Sequence, residues 1–228
     1  DANVDAAWAL TAGRSDVIVA VVDEGVDYTH EDLKDNMWVN QAEANGVEGV
    51  DDDNNGYVDD VHGYNFSANG PVSWDRPNDQ GHGTHVAGIV AATNNNGIGV
   101  CGVAGGTGKG DGVRMISCQV FSNNVEADYE GVANAILYAA DMGASVLQCS
   151  WCFSPYVSGI NSDADFKRLL QVEYEAIKYF VEKSNCAAMD GGIVIFAAGN
   201  DGVDAAGYPS AYNEYIAVTA FGPDGLPT

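Results

Sequence analysis

Three segments place a polar side chain where acid–base chemistry would need it. An apolar run at residues 17–22 leads straight into Asp23-Glu24-Gly25-Val26. An acid at the carboxyl end of a buried parallel strand lies where α/β sheets hold ligands and reactive groups. Gly25 permits the tight turn that lets the acid point across the sheet edge. Taken alone, the same acid would serve equally as a helix N-cap. The second segment is Gly81-His82-Gly83-Thr84-His85-Val86-Ala87-Gly88. A histidine flanked by glycines opens an apolar helical stretch, and imidazole, which titrates near neutrality, is the natural general base. His85 lies three residues on, but no H-E-x-x-H arrangement supports a metal pair, so it reads as packing around the first histidine. In the third segment an apolar run at 193–198 ends in Gly199-Asn200-Asp201-Gly202. A carboxamide N–H at that point suits a developing oxyanion, although asparagine after a strand is by itself an ordinary turn residue.

These side chains need a scaffold that brings strand ends together. Apolar runs at 17–22, 113–120, 145–150, 193–198 and 215–221 are continuous rather than alternating, as in parallel strands covered on both faces. Helical periodicity lies between them: at 86–92, at 128–142 through Val132, Ile136, Ala139 and Ala140, and at 165–181 through Leu169, Val172, Ala176, Phe180 and Val181. Alternating strand and helix predicts a three-layer α/β/α fold with a mostly parallel central sheet. Residues 40–80 are rich in Asp, Asn and Gly and lack apolar periodicity, which predicts a surface loop region organised by a cation.

The chain has 228 residues, 9 Lys+Arg and 33 Asp+Glu, for a net charge of −24. A phosphate backbone would be repelled, which excludes a general nucleic-acid binder and favours cations or basic partners. No apolar run is long enough for a membrane span. Of five cysteines, Cys149 and Cys152 form a lone C-x-x-C with no second pair at zinc-site spacing. The cysteines therefore read as core thiols.

Taken together, Val21-Val22-Asp23-x-Gly25-Val26 with His30-x-Asp32-Leu33, then Gly81-His82-Gly83-Thr84-His85-Val86-Ala87-Gly88, then Ala197-Ala198-Gly199-Asn200 resemble the subtilisin-like serine proteases in both motif and order. The resemblance implies peptide-bond hydrolysis. Asp23 would orient the imidazole, His82 would act as general base and then acid, and Asn200 would donate to the oxyanion. Ser150-Trp151-Cys152 sits where the family has its Ser-x-Gly segment, so Ser150, Trp151, Cys152 and Gly199 would pair with an extended peptide or protein substrate. Secretion, or another extracytoplasmic site such as the cell envelope, is the location this family implies.

The sequence also departs from the pattern. The family's nucleophile lies in a Gly-Thr-Ser-Met-Ala-like segment after the oxyanion asparagine, and no serine here has that glycine frame. We therefore expect residues 1–228 to form one peptidase domain lacking its last third. The serine, and with it a partner, would be supplied by the remainder of its own polypeptide. A degenerate relative that binds peptide or calcium without cleaving is the alternative. Glu24 stands where the family usually has Ser or Thr. It resembles the kexin-like branch, whereas His85-Val86-Ala87-Gly88 resembles the bacterial type, so no specificity follows.

Calcium is the expected cofactor, at two sites. Asp51, Asp53 and Asn55 stand at positions 1, 3 and 5 of an EF-hand-like loop, with Gly56 at 6 and the Tyr57 carbonyl at 7. Position 12 is His62, so Asp59 or Asp60 would have to close the shell. Asn96-Gly97-Ile98-Gly99-Val100, with Asp32, resembles the family's tight calcium loop, which implies Asp32, Asn96, Ile98 and Val100 as ligands.

Overall fold

The computed structural model describes residues 3–74, 80–122, 125–154, 159–202, 207–222 and 226. The final turn expected at 221–228 lies mostly outside them. Eight strands form one sheet: β1 Ile18–Glu24, β2 Gly63–Asn65, β3 Gly70–Pro71, β4 Arg114–Ser122, β5 Val125–Glu126, β6 Val146–Cys149, β7 Ile193–Ala197 and β8 Ile216–Val218. The order is β3-β2-β4-β1-β6-β7-β8, with β5 paired to β4. Every pairing from β2 to β8 along this order is parallel; β3 and β5 are antiparallel additions. The helices are α1 Val4–Trp8, α2 Gln41–Ala44, α3 His82–Ala91, α4 Tyr129–Asp141, α5 Asp163–Leu169 and α6 Gln171–Lys183.

The continuous apolar run of β1 divides by period two between two cores. Val19 and Val21 pack with Val86, Ala87 and Ala91 of α3 and with Met115 of β4. Ala20 and Val22 face the other way, toward Ile136 and Ala139 of α4, Ile177 and Phe180 of α6, and Leu147 of β6. The sheet is thus covered by α3 on one face and by α4 and α6 on the other, the layered arrangement the sequence predicts. Asp128 caps α4, its side chain accepting from the Gly131 N–H at 2.8 Å.

Three expectations change in detail. The helix expected at 165–181 is two, α5 and α6, divided at Leu170. The last strand is three residues long rather than the seven expected. The region 40–80 holds α2, β2 and β3, and β2 joins the parallel sheet beside β4, so this is not loop alone. Its short elements show too little periodicity to be seen in sequence. All five cysteines are free thiols; Cys118 and Cys149 are buried as expected, Cys101 is exposed, and Cys152 and Cys186 lie between.

Candidate active site

Because β1, β6 and β7 are adjacent and parallel, their carboxyl ends share one edge of the sheet. Val21 is level with Gln148, and Gln148 with Ile195. Asp23, Ser150 and the turn bearing Asn200 therefore follow one another along that edge. α3 meets the same edge from one face. Gly83 allows this approach: a Cβ there would overlap the Glu24 carbonyl oxygen. Gly81 enters the helix at φ 84°, a conformation that glycine adopts freely.

Asp23 is almost fully buried and His82 about half exposed, and Asp23 Oδ1 lies 2.7 Å from His82 Nδ1. A carboxylate only accepts, so Nδ1 is the donor to Asp23, and in the neutral imidazole that tautomer makes Nε2 the acceptor. The Glu24 N–H also donates to Oδ1 at 2.7 Å. Burial pushes the Asp23 carboxyl above its ordinary range, while the hydrogen bonds from His82 and Glu24 favour the charged form and pull the other way. Oδ2 is buried with no hydrogen-bond partner among the described residues.

Neighbouring groups hold the pair in place. Glu24 Oε2 accepts from the His82 backbone N–H at 2.9 Å, so a residue distant in sequence satisfies the first turn of α3. The Thr84 hydroxyl accepts from the Asp27 N–H at 2.9 Å. Trp151 Nε1 donates to the Val22 carbonyl at 2.9 Å, tying the segment after β6 to the end of β1. Gln148 Nε2 donates to Ser150 Oγ at 2.7 Å. Asn200 is exposed in the turn after β7, next to Gly199 at φ 106°. His85 is also exposed. It lines a mainly apolar cavity of about 370 Å³ with His30, Ile89, Val100 and Cys101, and is not part of the Asp23–His82 pair.

The predicted cation residues fall in two places. Asp32 meets the 96–100 loop: Asn96 Nδ2 donates to its Oδ1 at 2.7 Å and the Val100 N–H to its Oδ2 at 2.9 Å. The Ile98 N–H is turned onto Asn96 Oδ1 at 3.0 Å. In the acidic loop, one carboxylate oxygen each from Glu43, Asp53 and Asp60 lie within 4.8 Å of one another. Asp53 of this trio stands in the EF-hand-like set, and Asp60 is one of the two residues expected to close its shell. Asp51 is engaged by the Asn55 and Gly56 N–H groups, and Asn55 Oδ1 by the Tyr57 N–H. Asp59, at φ 56°, turns its carboxylate to the Gly49 N–H, which leaves Asp60 to point inward. Asp60 accepts from Asn40, Asn55 and the Tyr138 hydroxyl, and burial pushes its carboxyl up. Glu43 lies outside the loop on α2, and nothing in its local sequence marks it.

A family model described as "Subtilase family" matches residues 14–226. "Subtilisin-like protease 1" of Plasmodium vivax is 38% identical over 179 residues, 78% of this chain and 26% of that protein. "Halolysin-like extracellular serine protease Nep" of Natrialba magadii is 29% identical over 218 residues, 96% of this chain and 32% of that protein. The chain thus spans about a quarter to a third of the length of these curated relatives. Among solved structures, a lanthipeptide protease superposes with a TM-score of 0.65 at 22% identity, covering 98% of this chain and 54% of its own.

Proposed function

The chain belongs to the subtilase family, and on that premise we propose that it forms the acid–base half of a serine endopeptidase. The observation that carries the reading is the 2.7 Å contact between Asp23 and His82 at the carboxyl edge of a parallel sheet. Asp23 fixes the imidazole with Nε2 toward the cleft. The serine comes from polypeptide outside residues 1–228, a reading supported by the relatives' greater length.

His82 Nε2 takes the serine proton as Oγ attacks the peptide carbonyl carbon. Asn200 Nδ2 donates to the resulting oxyanion. Collapse breaks the C–N bond, and His82 returns the proton to the departing amine. Water, deprotonated by His82, then hydrolyses the acyl-enzyme. Ser150–Cys152 and Gly199 flank the bound peptide as strand edges. Substrates are peptides or proteins, and an extracellular setting is supported by the extracellular relative. No helix among the described residues is long and apolar enough to cross a membrane.

Calcium is the cation we assign to Glu43, Asp53 and Asp60, and to Asp32 with the 96–100 loop. An all-oxygen, carboxylate-rich donor set suits a hard divalent ion. When bound, calcium would relieve repulsion among the acids and stiffen the loop.

The test is fluorophosphonate labelling of the native full-length polypeptide, with peptide hydrolysis measured for the wild type and His82→Ala. Labelling, with hydrolysis lost in His82→Ala, supports the reading. Absence of label would make the protein a non-catalytic peptide binder.

A further inference from the structure

β6 and β7 stay paired as far as Cys149 and Phe196, and no ladder pair joins their extensions beyond that point. Side chains on an extended segment alternate sides. Trp151 goes to the β1 side, where its indole holds the Val22 carbonyl and packs on Phe196 with ring centroids 5.3 Å apart. Cys152 goes the other way, into the slot between the two extensions. Its Sγ lies 3.1 Å from where a Cβ would stand on Gly199, and 3.1 Å from where one would stand on Gly207. The thiol therefore bridges the two glycine walls. The Ser210 side chain, the Gly207 backbone and Asp201 all lie near enough to act on it electrostatically. Glycines face the slot, and the thiol occupies what they leave open.

Under the peptidase reading above, on which this inference rests, the carbonyl being attacked lies at Asn200. The side chain of the residue carrying that carbonyl then falls beside Gly199. We propose that Cys152 limits the size of that substrate side chain, so that the protein accepts peptides with a small residue, alanine or glycine, immediately before the cleaved bond and rejects large apolar ones. Removing the Cβ and Sγ of Cys152 opens the slot. A difference of one or two heavy atoms in an apolar pocket is worth roughly 10- to 200-fold in kcat/KM.

Two measurements on the native full-length polypeptide test this. In the first, kcat/KM is determined for peptides differing only at that residue (Gly, Ala, Leu, Phe), with wild type and Cys152→Gly. Wild type should prefer Ala to Phe by at least about 10-fold, and Cys152→Gly should raise the Phe value by about 10-fold or more. An unchanged preference in Cys152→Gly overturns the proposal. The second needs neither the variant nor turnover: iodoacetamide labelling of wild-type Cys152, read by mass spectrometry with exposed Cys101 as internal reference. The Ala peptide should slow labelling of Cys152 and leave Cys101 unaffected, and the Phe peptide at equal concentration should slow it several-fold less. Equal protection, or none, overturns the slot assignment. Selective protection without hydrolysis upholds the slot and sinks the peptidase reading.

Discussion

Glu173 of α6 is fully buried against the sheet, and neither carboxylate oxygen has a hydrogen-bond partner among the described residues. Burial pushes its carboxyl from an ordinary 4.5 up to about 8. The unfolded chain releases this proton near 4.5, but the folded chain holds it until about 8. The group therefore favours the folded state fully at low pH and loses that advantage as pH rises through the window from 4.5 to 8. At about 1.4 kcal/mol per pH unit, the accumulated loss above pH 8 reaches on the order of 5 kcal/mol. Glu173→Gln removes the titration. Denaturant unfolding of wild type and variant should therefore give free energies that nearly agree at pH 5 and diverge toward pH 8.5, where the variant is the more stable by several kcal/mol. Comparing the two proteins cancels the groups that do not feel Glu173; Cys149 and Tyr215 do feel it, but burial holds both above their ordinary values and so above this pH range. A wild-type-to-variant difference that stays constant from pH 5 to pH 8.5 would refute the reasoning.

Asn200→Ala should lower kcat by about 10²- to 10³-fold with little change in KM, as expected for a donor that acts only on the developing oxyanion; an unchanged kcat in steady-state assays counts against it. Gly83→Ala drives a methyl into the Glu24 carbonyl and should destabilise the protein by about 1–3 kcal/mol, seen as a lower thermal midpoint; an unaltered midpoint contradicts the close approach of α3 to β1. Calcium at about 100 times its dissociation constant should add about 2.7 kcal/mol of stability, reversed by chelator. Asp60→Asn should remove the part of the calcium response due to the Glu43–Asp53–Asp60 group and leave the part due to the Asp32 loop, and a full calcium response in that variant would count against the first of these sites.

The sheet was readable because burial on both faces leaves long apolar runs such as residues 17–22. The Asp23–His82 pair was readable because α3's approach demands glycine at 81 and 83, and those glycines frame the histidine in the sequence. The acidic loop was harder, because counting positions 1, 3, 5, 7 and 9 assumes an EF-hand backbone. The left-handed conformation of Asp59 turns the next residue, Asp60, inward, and Glu43 arrives from α2 through the fold alone. Glu24 looked like a departure from the family pattern. Its function as acceptor for the His82 N–H depends on two segments meeting 58 residues apart. The break at Leu170 leaves the periodicity of residues 165–181 almost intact, so spacing alone does not reveal it.

The indole of Trp151 grips the last carbonyl before Asp23 and sits amid Phe121, Phe153 and Phe196. The two strand ends cannot splay apart without breaking that N–H bond and wetting the ring. With Trp8, Trp38 and Trp74 replaced by Phe, the fluorescence of Trp151 becomes an optical gauge of the groove, in which a red shift reports strands parting at this edge.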